Sequence, residues 1–523
     1  MKRFLKILSP ILFFSVLIIL GCLIYKDYGI PWDESIQTQI GALNFRYLFR
    51  GDLSLLSFTD RYYGAIFEVP LLWISSRLSA PRHLVIFLIF IFGLILFYFL
   101  GRRLFHNSWL GLLGAVFLAM SPRIFADAFY NSKDIPFLVA GITTIWTLVI
   151  LSDALTQKRK WWIFAAISVM HAGASAVFIS TRVAGVMILP LTLLLLLIKT
   201  IDSPTSWKHI LVIFSGYLAL SVGLTLLFWP ILWKSPWREF ANAFSMMSKY
   251  PFGRIVLYEG HYFLPENLPW HYLPVWIGIT TPVIVLAGIL PAIIGWIRSI
   301  TSVIRSKEKS QYLKESASEI PVWIVVIGWA AIPVAAIYLF HSVLYDGWRQ
   351  MFFIYPAIVL ISLQGLIFLY HWMQLLPLPV NVVRFIAGIL LLAGLIEPTW
   401  FMVRYHPFEN VYFNVFAGNS STLRQRFEMD YWGLSYKQGI DYILANDPGK
   451  SIKILVADPP GQDYINSGLT KANKSRLIPV KDSGDANYFV SVFRWHPEDY
   501  AYADEVYSVN VRGTKIMVVY RLR

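Results

Sequence analysis

Charge is what this chain has least of. Across 523 residues only 15% are Asp, Glu, Lys or Arg, against 57% hydrophobic. With a mean hydropathy of +0.57, that balance excludes an ordinary soluble domain. Cysteine is nearly absent as well. The one residue, Cys22, lies inside an apolar run, so an intrachain disulfide is excluded and no redox compartment can be inferred. There is no Walker loop, dinucleotide fingerprint, internal repeat or low-complexity tract, and with them go the usual nucleotide-binding and repeat architectures. A signal-peptide cleavage site is missing too. Met1-Lys2-Arg3-Phe4-Leu5-Lys6 and the apolar run behind it resemble a secretory signal, but Tyr25-Lys26-Asp27-Tyr28 follows instead of small residues. The run is read as a retained first span.

What the chain has instead is a series of long apolar runs. Hydropathy predicts an α-helical polytopic membrane protein of about eleven spans, near 8–26, 83–100, 108–121, 135–152, 161–180, 183–199, 209–230, 272–296, 320–340, 351–371 and 383–402. The net charge of +14 is spread between these runs, which speaks for membrane orientation and against nucleic acid as a partner. Lys2, Arg3 and Lys6, then Arg102 and Arg103, Lys158, Arg159 and Lys160, and Arg305, Lys307, Lys309 and Lys314 all fall on one side. The positive-inside rule makes that side cytoplasmic. An odd span count then sends the C-terminal segment outside. From about 403 the apolar runs shorten to strand length, as in Ile452-Lys453-Ile454-Leu455-Val456 and Thr514-Lys515-Ile516-Met517-Val518-Val519-Tyr520. The expectation is a membrane part over 1–404, with outer loops 27–82 and 231–271. A small extracytoplasmic α/β region over 405–523 would follow, opened by a helix near 434–445.

On the outer face this topology collects the rare charges. Pro31-Trp32-Asp33-Glu34-Ser35 sits where the first span surfaces. Asp33 and Glu34 are either a helix cap and its first turn or part of a working site. Ile36, Ile40, Leu43 and Tyr47 recur at helical spacing, as in a helix lying along the interface. Tyr62-Tyr63-Gly64 to Glu68 reads as interfacial anchoring, with Glu68 a further site candidate. In the loop 121–134, a helix would carry Arg123, Asp127 and Asp134 on one face. Asp134 has a capping alternative, whereas Asp127 does not. Arg182 is either a snorkelling arginine or a site cation. His261 and His271 lack a recognisable metal spacing. Asp346 and Arg349 either pair with each other or leave Arg349 to hold an anion.

These residues resemble a family. An acidic pair after span one, amphipathic helices in the first outer loop and an acidic second outer loop are similar to the GT-C superfamily of membrane glycosyltransferases. The likeness is to the branch of the protein O-mannosyltransferases and the lipid A aminoarabinose transferase. Trp32-Asp33-Glu34 looks like that branch's Asp-Glu motif, and Asp127 or Asp134 would be its second acidic position. Leu268-Pro269-Trp270-His271-Tyr272, Tyr345-Asp346-Gly347-Trp348-Arg349, the stretch His406 to Asn414 and Asp430 to Tyr436 are similar to segments of bacterial relatives. The resemblance implies a multi-pass bacterial inner-membrane enzyme that takes a sugar from a polyprenyl-phosphate donor. The acceptor would be a lipid, glycan or protein at the outer face, with inversion and no required cofactor. It implies Asp33, Glu34 or Asp127 as the catalytic carboxylate, and Arg123, Lys133, Arg182 and Arg349 as donor-phosphate ligands. Two alternatives remain. One is a lipid-diphosphate oligosaccharyltransferase with a divalent metal on Asp33, Asp127 and Asp134. The other is a transporter or flippase, against which the gathering of charge at one face counts.

Overall fold

The structure, a computed structural model, describes residues 2–78, 81–156, 160–201, 207–305 and 320–523. Among these, nine helices are long and apolar enough to cross a membrane: Phe4–Ile24, Arg82–Leu104, Asp134–Leu155, Trp161–Thr181, Ile210–Phe228, Val283–Thr301, Ile320–Phe340, Arg349–Met373 and Val380–Tyr405. The protein is a helical polytopic membrane protein, with a count that differs from eleven in two places. The run at 108–121 is the first half of a pair, Ser108–Ala119 and Pro122–Tyr130, bent by 72°. Pro122 opens the second half with the fixed φ and missing N–H that suit a helix start. Counted as one span, the pair makes ten. The run at 183–199 is helical over Val183–Lys199 but falls short of the ~20 residues a straight span needs. The run predicted at 272–296 is also divided. A short helix, Tyr272–Thr280, stops ahead of Pro282, and the long helix begins at Val283. Lys158, Arg159, Lys307, Lys309 and Lys314, used above to orient the chain, lie outside the described residues.

In the loop 27–82 the helix expected around Ile36 to Tyr47 is present, and the aromatic stretch read as interfacial anchoring runs into a second helix. Helix Glu34–Arg50 buries Ile40 and Leu43 and ends at Gly51, whose φ of 66° closes it in a left-handed cap. A second helix, Ala65–Arg77, lies against it. Gly64, just before it, packs so closely that a Cβ would sit 1.7 Å from the Ser180 carbonyl oxygen. Only glycine lets the loop reach the turn that carries Arg182.

The long loop after the helix Trp207–Phe228 contributes the helix Pro236–Ser248 and a two-stranded hairpin, β1 (Val256–Tyr258) and β2 (His261–Phe263). The C-terminal region opens with helix Tyr436–Asn446, followed by β3 (Ile452–Val456), β4 (Leu477–Pro479), β5 (Tyr488–Ser491), β6 (Asp504–Val511) and β7 (Thr514–Arg521). These five form one sheet in the order β4-β3-β5-β7-β6, parallel on the β4-β3-β5 side and antiparallel from β5 through β7 to β6. Helix Tyr436–Asn446 covers it, with Ile440 and Ile443 buried. The sheet is seated on the membrane part. Trp495, just past β5, donates its indole N–H to the Ile255 carbonyl at 2.9 Å.

Candidate active site

Asp33 stands at the N-cap position of helix Glu34–Arg50, yet its side chain accepts no capping hydrogen bond. It turns instead to cations. Lys133 Nζ lies 2.6 Å and Arg349 Nη1 3.4 Å from Asp33 Oδ2. The capping reading therefore does not account for this carboxylate. Burial alone would raise its pKa, but Lys133, Arg349 and Arg494 outweigh that and hold it at about 2.

The cations are delivered by helix ends. Lys133 comes from the break between Pro122–Tyr130 and the helix that starts at Asp134. Arg349 opens a 3₁₀ turn ahead of the helix Tyr355–Met373. It lies 3.2 Å from Asp134 and 2.8 Å from Asp346, with Trp432 and Tyr345 rings at 4.6 and 5.3 Å. Asp134 also pairs with Arg182, and Asp346 with Arg494 at 2.6 Å. The result is a continuous chain of ion pairs running Arg182–Asp134–Arg349–Asp346–Arg494, with Asp33 and Lys133 attached at Arg349.

Trp432 is placed by a local device. Asp430 is buried and accepts from the backbone N–H groups of Gly433, Leu434 and Ser435 at 3.1, 3.2 and 2.8 Å, from Ser435 Oγ at 2.6 Å and from Asn410 Nδ2 at 2.9 Å. A buried carboxylate with this many donors is satisfied without a cation. The turn it builds lets Trp32 donate its N–H to the Trp432 carbonyl at 2.9 Å. Gly29 makes the approach possible, since a Cβ there would lie 2.2 Å from the Leu434 carbonyl oxygen.

The remaining candidates are placed elsewhere. Glu34 does not join Asp33, because the helix turns it toward His83, 3.0 Å away. Arg123 and Asp127 share the short helix Pro122–Tyr130, but Asp134 belongs to the next one, so the three do not share one helix face. Arg123 donates to the Tyr412 carbonyl at 2.9 Å and lies over Phe413 and Trp276. That keeps it out of the chain of ion pairs. Asp127 is buried, and Asn131 Nδ2 stands between it, at 3.5 Å, and Asp134, at 2.8 Å. Glu68 is spent on Arg82, which lies 2.8 Å from both of its oxygens. His261 is exposed on β2. Among the described residues no group of three or more His, Cys, Asp and Glu is placed to hold a metal ion. Asp33 and Asp134 face ammonium and guanidinium groups, which is a poor donor set for a divalent cation.

Two cavities meet here. The charged one, of about 320 Å³, is lined by Trp32, Asp33, Lys133, Asp346, Arg349 and Arg494 among others. The second, of about 400 Å³, is apolar, with Val183, Met187, Phe244, Ile337 and Phe340 in its wall and Arg182 at its edge. Tyr63, Tyr250 and Tyr345 line both. Sequence reasoning missed Arg494, Trp495, Arg254 and Asp463, which also line the charged cavity. Arg254, Arg494 and Trp495 lie in irregular segments and Asp463 ends a five-residue helix, with no periodicity or spacing to mark them.

The site is a buried cluster of paired carboxylates and cations where the helices of a polytopic membrane protein meet its C-terminal region. Comparisons with known proteins give a partial family match and a likeness of fold. The family described as dolichyl-phosphate-mannose-protein mannosyltransferase matches residues 71–229, the stretch that holds Lys133, Asp134 and Arg182. Among solved structures, the chain is similar to the archaeal oligosaccharyltransferase AglB from Archaeoglobus fulgidus, solved with an inhibitory peptide and a dolichol-phosphate. The identity is 11% and the TM-score 0.50, over 92% of this chain and 69% of that one. In its apo form an oligosaccharyltransferase of the same organism gives 11% and 0.47, and this chain spans 65% of its length. ArnT from Cupriavidus metallidurans, bound to undecaprenyl phosphate, gives 14% and 0.45 over 98% of both chains. No curated protein matches the chain in sequence.

Proposed function

We propose that this protein transfers a sugar from a polyprenyl-phosphate donor to an acceptor hydroxyl at the extracytoplasmic face. The observation that carries this reading is the junction of the two cavities. A polyprenyl-phosphate sugar has an apolar tail, one phosphate and a polar sugar. The apolar cavity suits the first prenyl units, the charged cavity suits the sugar, and cations line both, Arg182 the apolar one and Lys133 and Arg349 the charged one. A cavity of this size is at the scale of small-ligand sites.

The acceptor oxygen attacks the anomeric carbon as the bond from that carbon to the phosphate oxygen breaks. The bonding pair leaves with the polyprenyl phosphate, whose growing charge is met by the guanidinium and ammonium groups. Asp33 takes the proton of the attacking hydroxyl. Before the donor arrives its pKa of about 2 makes it a weak base. Donor phosphate that engages Lys133 and Arg349 withdraws those cations from Asp33 and sets a like charge beside it. Both effects raise the pKa toward the working range. Donor binding thus arms the base, and a single displacement inverts the anomeric centre.

Transfer from purified donors by the protein in nanodiscs tests this directly. Polyprenyl-monophosphate sugars should support transfer, whereas the diphosphate-linked and nucleotide-linked forms of the same sugars should not. Transfer from the diphosphate alone would move the protein to the oligosaccharyltransferase reading. The facing of the site is tested by reporter fusions at residue 310 and at the C-terminus, which are expected to report opposite sides. If both reported the same side, the proposed orientation would fall.

A further inference from the structure

We propose that Arg494, supplied by the C-terminal region, is a positioning residue that keeps Arg349 available to the donor phosphate; this rests on the donor reading above. Arg349 directs both Nε, at 3.2 Å, and Nη2, at 2.8 Å, at one oxygen of Asp346, Oδ2. The other oxygen, Oδ1, is taken by Arg494 Nη2 at 2.6 Å. A guanidinium facing a free carboxylate prefers the two-pronged arrangement, one N–H to each oxygen. Arg494 denies Arg349 that arrangement by occupying Oδ1.

The charge count of the ion-pair chain leads to the same conclusion. Its carboxylates are Asp33, Asp134 and Asp346, and its cations are Lys133, Arg182, Arg349 and Arg494. One positive charge is left over for an incoming anion, and without Arg494 the chain is balanced. Glu428 lies buried behind Asp346 and Arg494, and its pKa is raised by burial and then by Asp346. The acid form is favoured there, so Glu428 does not cancel the excess.

The backbone is built to present this side chain. Phe493 and Trp495, on either side of Arg494, both have left-handed φ, 62° and 59°. For bulky residues that conformation is costly and persists only where surrounding contacts impose it. The contacts here include the Trp495 indole N–H to the Ile255 carbonyl at 2.9 Å and the Phe493 N–H to Ser491 Oγ at 3.1 Å, together with those of Arg494. Its guanidinium lies 4.7 Å from the Trp32 ring and 4.6 Å from the Trp495 ring, and Nη1 donates to the Tyr431 carbonyl. The C-terminal region thereby completes the electrostatics of a site whose other cations come from helix ends.

The test is a charge-restoring double variant, read as binding of undecaprenyl phosphate to the protein in nanodiscs. Arg494→Ala should weaken binding about 10- to 100-fold, the usual range for losing a charge-assisted contact. Adding Asp346→Asn removes the carboxylate that Arg494 had paired and restores the single excess positive charge, and binding should return to within about threefold of the parent. Arg494→Lys, which keeps the charge, should lose less than Arg494→Ala. A merely structural role predicts the reverse for the double variant, which would lose both partners of the contact. Unchanged binding in Arg494→Ala, or a double variant as weak as the single one, overturns the proposal. Arg349→Ala, measured alongside, isolates the donor reading. If that variant binds undecaprenyl phosphate normally, the phosphate site itself is misassigned, whatever Arg494 does.

Discussion

Asp33→Asn is expected to lower the rate of transfer by about 10²- to 10⁴-fold, the range for loss of a general base, while undecaprenyl-phosphate binding survives. The two effects separate because the substitution removes a proton acceptor and preserves shape. Removing the negative charge also frees Lys133 and Arg349 from a competitor 2.6 and 3.4 Å away. Donor affinity should therefore hold or improve. A helix-capping role would give a different result, since asparagine caps as well as aspartate; the Asp33 side chain makes no capping bond in any case. Single-turnover transfer with saturating donor checks it. Near-normal transfer by Asp33→Asn would remove Asp33 from the chemistry and pass the role to Asp127, the buried carboxylate beside Asn131.

Arg349→Ala carries the second large effect. Arg349 is fully buried and faces Asp33, Asp134 and Asp346 together, so its loss strands carboxylates in a desolvated site. Breaking such a buried network costs about 3–5 kcal/mol, and part of that will appear as lower thermal stability. The rest should appear as a loss of donor binding of at least about 100-fold, at the upper end for a charge-assisted contact. Arg349→Lys separates the two. It restores a cation to the carboxylates but not the planar fork, so stability should recover more than donor affinity does.

Much of this architecture was legible because a membrane imposes long, uniform signals. Every apolar run picked out by hydropathy became helix, since an unpaired backbone cannot face lipid. Apart from the run at 183–199, which is too short to be a straight span, errors fell at prolines. Pro122 bends one run by 72°, and Pro282 postpones the start of another to Val283; averaging hydropathy over a window hides both. Charge rarity near the bilayer picked out Asp33, Lys133, Asp134, Arg182 and Arg349, and the structure brings these five into one chain of ion pairs. The same rule could not tell Arg123, held by the Tyr412 carbonyl and two aromatic rings, from a cation that faces a cavity. Nor could it find Arg494. That residue lies beyond the last long apolar helix, where arginine is unremarkable, and it reaches the site only through the seating of the sheet on the membrane part. Glu34 shows the limit of adjacency. Neighbouring residues at a helix start diverge by about 100°, so Asp33 and Glu34 find different partners.

The most direct measurement of the central claim compares undecaprenyl phosphate with undecaprenol as ligands for the protein in nanodiscs, by titration of the quenching of its tryptophan fluorescence. Trp32, Trp495 and Tyr63 line the charged cavity, so occupancy there should be seen. The account predicts saturable binding of the phosphate, at least about 100-fold tighter than that of the alcohol, and loss of that difference in Arg349→Ala. Equal affinity for the two lipids would contradict it. The apolar cavity would then be a lipid groove unconnected with the charged one, and the pairing of the two as a donor site would fall.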